Sequence, residues 1–157
     1  MRGYKTIRKI TPGTGPRQGE YELFDLLDAL KPEIVKYRWS VSDVEVMHLP
    51  SSNININELV DYLPHKVLWM SGEELYELSK SISTTIWGAF LAFNPEDADF
   101  EYEEAPYSEG RPPSIQHPAA MIEIQAVDCS YFEVFARDTA VIELLKQHFE
   151  VEAVESI

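Results

Sequence analysis

The sequence predicts an α+β fold, a mainly antiparallel sheet with helices packed on one face, in a single domain spanning residues 1–157. Three observations carry that expectation. Strand-like and helix-like segments mix without a regular βα alternation. Asp128-Cys129-Ser130 separates two strand-like runs as a hairpin turn would. A length of 157 residues with 45% hydrophobic content and eight Tyr, seven Phe and three Trp suits one ordinary core.

Taken in order, Tyr4 to Ile10 alternates and predicts a short strand at a sheet edge. Residues 11–19, TPGTGPRQG, are turn chemistry throughout and predict a mobile basic loop. From Glu20, Leu23, Leu26, Leu27 and Leu30 recur at helical spacing, which predicts an amphipathic helix stopped by Pro32. Ile34 to Trp39 and Val41 to His48 then read as extended segments. Asn57 to Leu63 predicts one or two helical turns ended by Pro64, and Lys66 to Met70 a short strand.

Ser71 followed by Glu74 is a capping box, in which each side chain satisfies a free amide at a helix start, and Leu75, Leu78 and Ile82 supply the stripe. Thr84 to Phe93 is an apolar run of β-formers and predicts a central strand, with Gly88 marking a bulge or a close contact. Residues 94–118 are broken by Pro95, Pro106, Pro112, Pro113 and Pro118 and predict a long irregular loop, functional or mobile. Ala120 to Val127 and Tyr131 to Ala136 predict an antiparallel pair. Asp138 caps a helix with the stripe Val141, Ile142, Leu145 and Phe149, and Val151 to Val154 is a last strand.

The net charge of −14 is unevenly placed. Five of the 13 basic residues and none of the 27 acids lie in the first 17 positions, so the other 140 residues carry 8 basic and 27 acidic side chains, a formal −19. Such a body repels nucleic acid and anionic membranes and attracts a basic partner at long range. One cysteine, Cys129, excludes an intramolecular disulfide and suits a reducing compartment. The basic start lacks the apolar stretch of a secretory signal, and the longest apolar run, Ile86 to Phe93, falls far short of a bilayer span. A cytoplasmic location is the expectation.

Motifs of catalysis are weak. The glycine-rich segment 13–19 has neither the G-x-G-x-x-G spacing nor the lysine of a phosphate loop. His48, His65, His117 and His148 show no H-x-x-x-H pairing, and Cys129, beside Asp128 with His117 and His148 elsewhere, reads as a buried or incidental thiol in a tight turn, so neither a metal, a cofactor nor a catalytic residue is expected.

The segment from Glu96 to Glu109 holds seven acids and no base: Glu96, Asp97, Asp99, Glu101, Glu103, Glu104 and Glu109, interleaved with Phe100, Tyr102 and Tyr107. If extended, it puts acids on one face and aromatics on the other. These ten residues are the expected contact with a cationic protein surface, against the alternative of a solvated loop whose aromatics tuck onto the domain.

Met1-Arg2-Gly3, Leu30-Lys31-Pro32, Ile34 to Trp39, Asp128 to Tyr131, Arg137-Asp138 and Leu144-Leu145 resemble a family of small uncharacterised bacterial proteins. That resemblance covers scattered pieces toward both ends and implies no activity. In size, acidity and single-domain form the chain is also similar in type to the immunity proteins that neutralise bacterial toxins, a likeness that carries over no residue. The expected function is thus to bind and neutralise a basic protein partner, with no nucleic acid or membrane involved. The alternative is a small-molecule-binding domain or enzyme with a pocket under residues 94–118, lined by Trp39, Trp87, Arg111 and His117. A third reading, a subunit of a larger assembly, requires a wide exposed apolar patch.

Overall fold

Alternation along the strands sorts their side chains into two faces, and the two faces are covered by different means. The computed structural model describes residues 22–110 and 114–149 in full and the backbone of residues 5–10 and 153–156. Among the described residues seven strands, β1 (Lys5–Ile10), β2 (Arg38–His48), β3 (Val67–Ser71), β4 (Ile82–Phe93), β5 (Ile122–Val127), β6 (Tyr131–Ala136) and β7 (Ala153–Ser156), form one sheet in the order β3-β2-β4-β5-β6-β1-β7. Every adjacent pair is antiparallel. The α+β class and the helices on one face hold.

Register puts Trp39, Ala92, Ile122 and Ala136 in one row and Val41, Phe90, Ile124 and Val134 in the next, all on the helical face. Against them pack α1 (Leu23–Ala29), α2 (Lys31–Ile34), α3 (Ile56–Tyr62), α4 (Gly72–Ser79) and α5 (Thr139–His148). Leu23, Leu26 and Leu27 of α1, Leu75 of α4, and Val141, Ile142 and Leu145 of α5 are buried there. The caps match the sequence: Ser71 accepts from the Glu74 amide while Glu74 accepts from the Ser71 amide, and Asp138 accepts from the Ala140 amide.

Several expectations are corrected. β1 is not an edge, because β7 pairs on its outer side, and the last strand runs two residues later than the pattern implied. Pro32 does not stop the helical region. It sits in the first turn of α2, where a missing N–H costs nothing, and the chain becomes extended only at Arg38. The indole of Trp39 donates to the Ile34 carbonyl at 3.1 Å, satisfying the end of that helix. Ile82 opens β4 instead of closing α4.

Gly88 marks a close contact, since a Cβ there would lie 2.6 Å from the Phe90 ring. The β5–β6 turn is the three-residue loop Asp128-Cys129-Ser130, with Asp128 and Cys129 both at positive φ and the Ser130 amide donating to the Val127 carbonyl. The loop 11–19 and its glycines lie outside the described residues. Among the described residues no helix is long and apolar enough to cross a membrane.

Candidate functional site

Among the described residues the opposite face of the sheet carries no α-helix and is roofed by residues 94–110 and 114–120, which cross it as an irregular strap. An irregular segment cannot satisfy its own backbone groups, so the sheet beneath must supply partners. The strap-facing residues of the strands accordingly include polar ones: Ser40, Ser42, Glu123, Gln125 and Glu133 are all buried, beside the apolar Ala89, Leu91 and Phe93.

The attachments run along the strap in order. Arg38 donates to the Ala98 carbonyl, Ser40 shares a 2.8 Å hydrogen bond with the Tyr102 hydroxyl, and Ser42 donates to the Pro106 carbonyl. Asp43 stands at positive φ where the β2–β4 register slips, and this bulge aims its carboxylate at Ser108, whose N–H and hydroxyl both donate to it. Gln116 donates its backbone and side-chain N–H groups to the fully buried Glu123 and a further side-chain N–H to the Tyr107 carbonyl, and Gln125 also donates to Glu123. Arg137 clamps the far end through the Ala120 and Pro118 carbonyls.

An apolar cluster fills the space between strap and sheet. Tyr102 stacks on Trp69 with centroids 5.6 Å apart and planes at 11°, and Phe100 stacks on His117 at 4.6 Å, with Phe93 meeting all four rings. Such pairs add roughly 0.5–1.5 kcal/mol each beyond the area they bury. The His117 Nδ1 accepts from the Ala119 amide at 3.1 Å, which places the ring proton on Nε2. Burial holds the His117 pKa below its ordinary value.

This geometry carries a prediction. Because the folded state favours neutral His117, its contribution to stability is complete above the unfolded value near 6.5 and is lost as the pH falls through the lower folded value. The melting temperature of His117→Asn, whose amide oxygen can accept from Ala119 without titrating, is expected to fall less between pH 7 and pH 5 than that of the unmodified protein. Equal slopes in thermal melts would remove His117 from the pH response.

The ten residues singled out for partner binding divide sharply. Glu96, Asp97, Asp99, Glu101, Glu103, Glu104 and Glu109 are all exposed, and Tyr107 is 46% exposed. Tyr102 is buried and Phe100 half-buried, so the aromatic side of the alternation faces the protein's own sheet. Trp69 and Phe93 claim these rings, and neither Phe100 nor Tyr102 is an exposed anchor. The strap therefore presents carboxylates outward from a backbone bonded to the sheet at several points along its length.

The expected pocket lining is not brought together. Trp39 is fully buried on the helical face, because it alternates with Ser40, and Trp87 lies at a separate hollow beside Asp43 and Tyr107. Arg111 lies outside the described residues. Hollows flank the strap instead. One of about 400 Å³ lies between it and β3, lined by Arg38, His65, Val67, Trp69, Phe100 and Glu101.

Sequence reasoning missed Arg38, His65 and Trp69, which border this hollow, and the only local sign was an aromatic in a short strand next to a proline turn. Arg38 lies over the Trp69 ring at 4.8 Å, His65 Nε2 is 3.4 Å from a Glu101 carboxylate oxygen, and His65 and Lys66 both have left-handed backbones.

Cys129 is exposed in its turn, and desolvation followed by the carboxylates of Asp128, Glu22 and Glu45 pushes its thiol up, away from the reactive thiolate. His48 accepts from the Ile56 amide, and His148 pairs with the Leu144 carbonyl. Among the described residues no three His, Cys, Asp or Glu side chains cluster as metal ligands would. Compared with protein-family models, curated proteins and solved structures, the chain matches none of them.

Proposed function

We propose that this chain is a cytoplasmic acidic protein that binds and neutralises a basic protein partner, in the manner of an immunity protein against a bacterial nuclease-like toxin domain. One observation carries the reading: seven carboxylates within 14 residues of strap all face solvent while their backbone is held to the sheet. Carboxylates on a held backbone keep their spacing, so they form a fixed field for lysine and arginine. They do so without the ordering cost that a flexible tail would incur on binding. Acids of one sign on a surface raise the encounter rate with a cationic partner and discriminate against anionic ones.

The test is association with a basic toxin domain encoded beside this chain, followed by stopped-flow mixing. Glu101→Gln, Glu103→Gln and Glu104→Gln combined are expected to slow association about tenfold at low salt and to flatten its salt dependence, with dissociation changing less. An association rate indifferent to both salt and the triple substitution would exclude the strap as the contact.

A further inference from the structure

The strap borders the one sheet edge whose outer backbone can be read from the described hydrogen bonds. β3 ends the sheet on that side, and its partner on the inner side is β2. In an antiparallel pair, alternate residues bond to the same neighbour. Gly72, the next residue, donates its N–H inward to the Tyr37 carbonyl, so Leu68 and Met70, of the same parity, face β2. Ser71 donates instead to its own helix cap at Glu74. Val67 and Trp69 therefore aim N–H and C=O away from the sheet, and neither backbone meets a partner among the described residues.

Edge strands are normally guarded by charge, proline or a bulge, yet β3 reads Val-Leu-Trp-Met-Ser. Its neighbour β2 illustrates the contrast. Beyond Ser42, where β3 no longer pairs, the Asn57 side chain accepts from the Val46 amide and donates to the Val46 carbonyl, imitating a strand. The open stretch of β3 adjoins the 400 Å³ hollow, with the exposed carboxylates Asp99 and Glu101 on the strap side.

We infer that the outer edge of β3 takes up an extended segment of a basic protein partner as an eighth strand. Val67 and Trp69 provide the backbone bonds, while Asp99 and Glu101 receive alternate lysine or arginine side chains. Charge selects this occupant over a second copy of the chain, because pairing two copies brings together bodies of −14 each. Strand addition draws affinity from main-chain bonds and specificity from every second side chain, which is how the hollow and the acids are disposed. For the sign of its ligand the inference rests on the basic-partner reading.

The probe is a synthetic eight-residue peptide of alternating lysine and threonine, added at low salt to the full chain labelled for amide exchange. Exchange at Val67 and Trp69 is expected to slow about tenfold or more, with little change at Leu68 and Met70, which already bond to β2. Of two peptides N-methylated on opposite alternate sets, one is expected to lose binding at least about tenfold and the other to retain it. Unchanged exchange at Val67 and Trp69, equal behaviour of the two methylated peptides, or no binding of the peptide overturns the inference. If the peptide still binds in a salt-sensitive manner without these signatures, the strap remains the contact and only strand addition fails. If neither peptide nor toxin domain binds, the basic-partner reading falls with it.

Discussion

Tyr102→Ala is expected to lower stability by about 3–5 kcal/mol and to loosen the strap selectively, because the ring is the centre of the layer between strap and sheet. It is 7% exposed, stacked on Trp69, and met edge-on by Phe93, Phe100 and His117. Removing it leaves a cavity that the strap cannot close, since Arg38, Ser42 and Asp43 hold its neighbours Ala98, Pro106 and Ser108 at fixed points on β2. Tyr102→Phe separates the two contributions. It keeps the ring and removes only the bond to Ser40, for a cost of about 1 kcal/mol.

Burial pushes the Tyr102 pKa up, so the hydroxyl stays neutral across the working range and neither variant changes the charge of the strap. Urea denaturation measures both losses, and amide exchange between residues 98 and 108 shows where the loosening occurs. A loss below 1 kcal/mol for the alanine variant would show that the strap is held by its polar attachments alone. The carboxylates of Tyr102→Ala are intact but no longer fixed, so slower association with a basic partner would tie the position of the charges, not only their number, to binding.

Gly72→Ala is expected to cost at least about 3 kcal/mol, reversing what helix propensity dictates. At the first position of α4 alanine would be favoured by about 0.5–1 kcal/mol on propensity. Here a Cβ would lie 2.0 Å from the Ile34 carbonyl oxygen, 2.7 Å from its carbon and 2.9 Å from the Val35 Cα, all backbone atoms. Neither side can retreat cheaply. The Gly72 amide is bonded to Tyr37, the capping box fixes the helix start at Ser71, and the Ile34 carbonyl accepts the Trp39 indole. Gly110→Ala is the matched control: its φ of +73° is strained for alanine, by about 1–2 kcal/mol, but nothing lies within 4 Å. Chemical denaturation of the two variants ranks steric against conformational cost, and a Gly72→Ala loss no larger than that of Gly110→Ala would refute the close packing of α4 on the end of α2.

Local signals located most elements. The Ser71–Glu74 box, the Asp138 cap, the Asp128–Cys129 turn and the Val141–Phe149 stripe are each written in a few adjacent residues, and each forms where its pattern stands. Misreadings arose where a residue allows two outcomes. Pro32 suits a helix's first turn as well as it ends one, and an alternating β1 fits an edge or an interior position until β7 pairs beside it. At the candidate site, the run of acids and their spacing with Phe100 and Tyr102 was legible because period-two alternation is a local property. The destination of the rings was not legible, since Trp69 and Phe93 lie 33 and 9 residues from Tyr102 in the chain.

By itself the sequence determined the α+β class and the placing of seven acids on one stretch of chain, because composition, periodicity and capping act over a few residues. The tertiary structure alone decided what lies across from each strand face. Ser40, Ser42, Glu123 and Gln125 carry the polar alternation of a solvated face and are nonetheless buried, because an irregular strap with backbone groups to satisfy settles on them. That settlement turns the aromatics inward and leaves the acids outward as a held array.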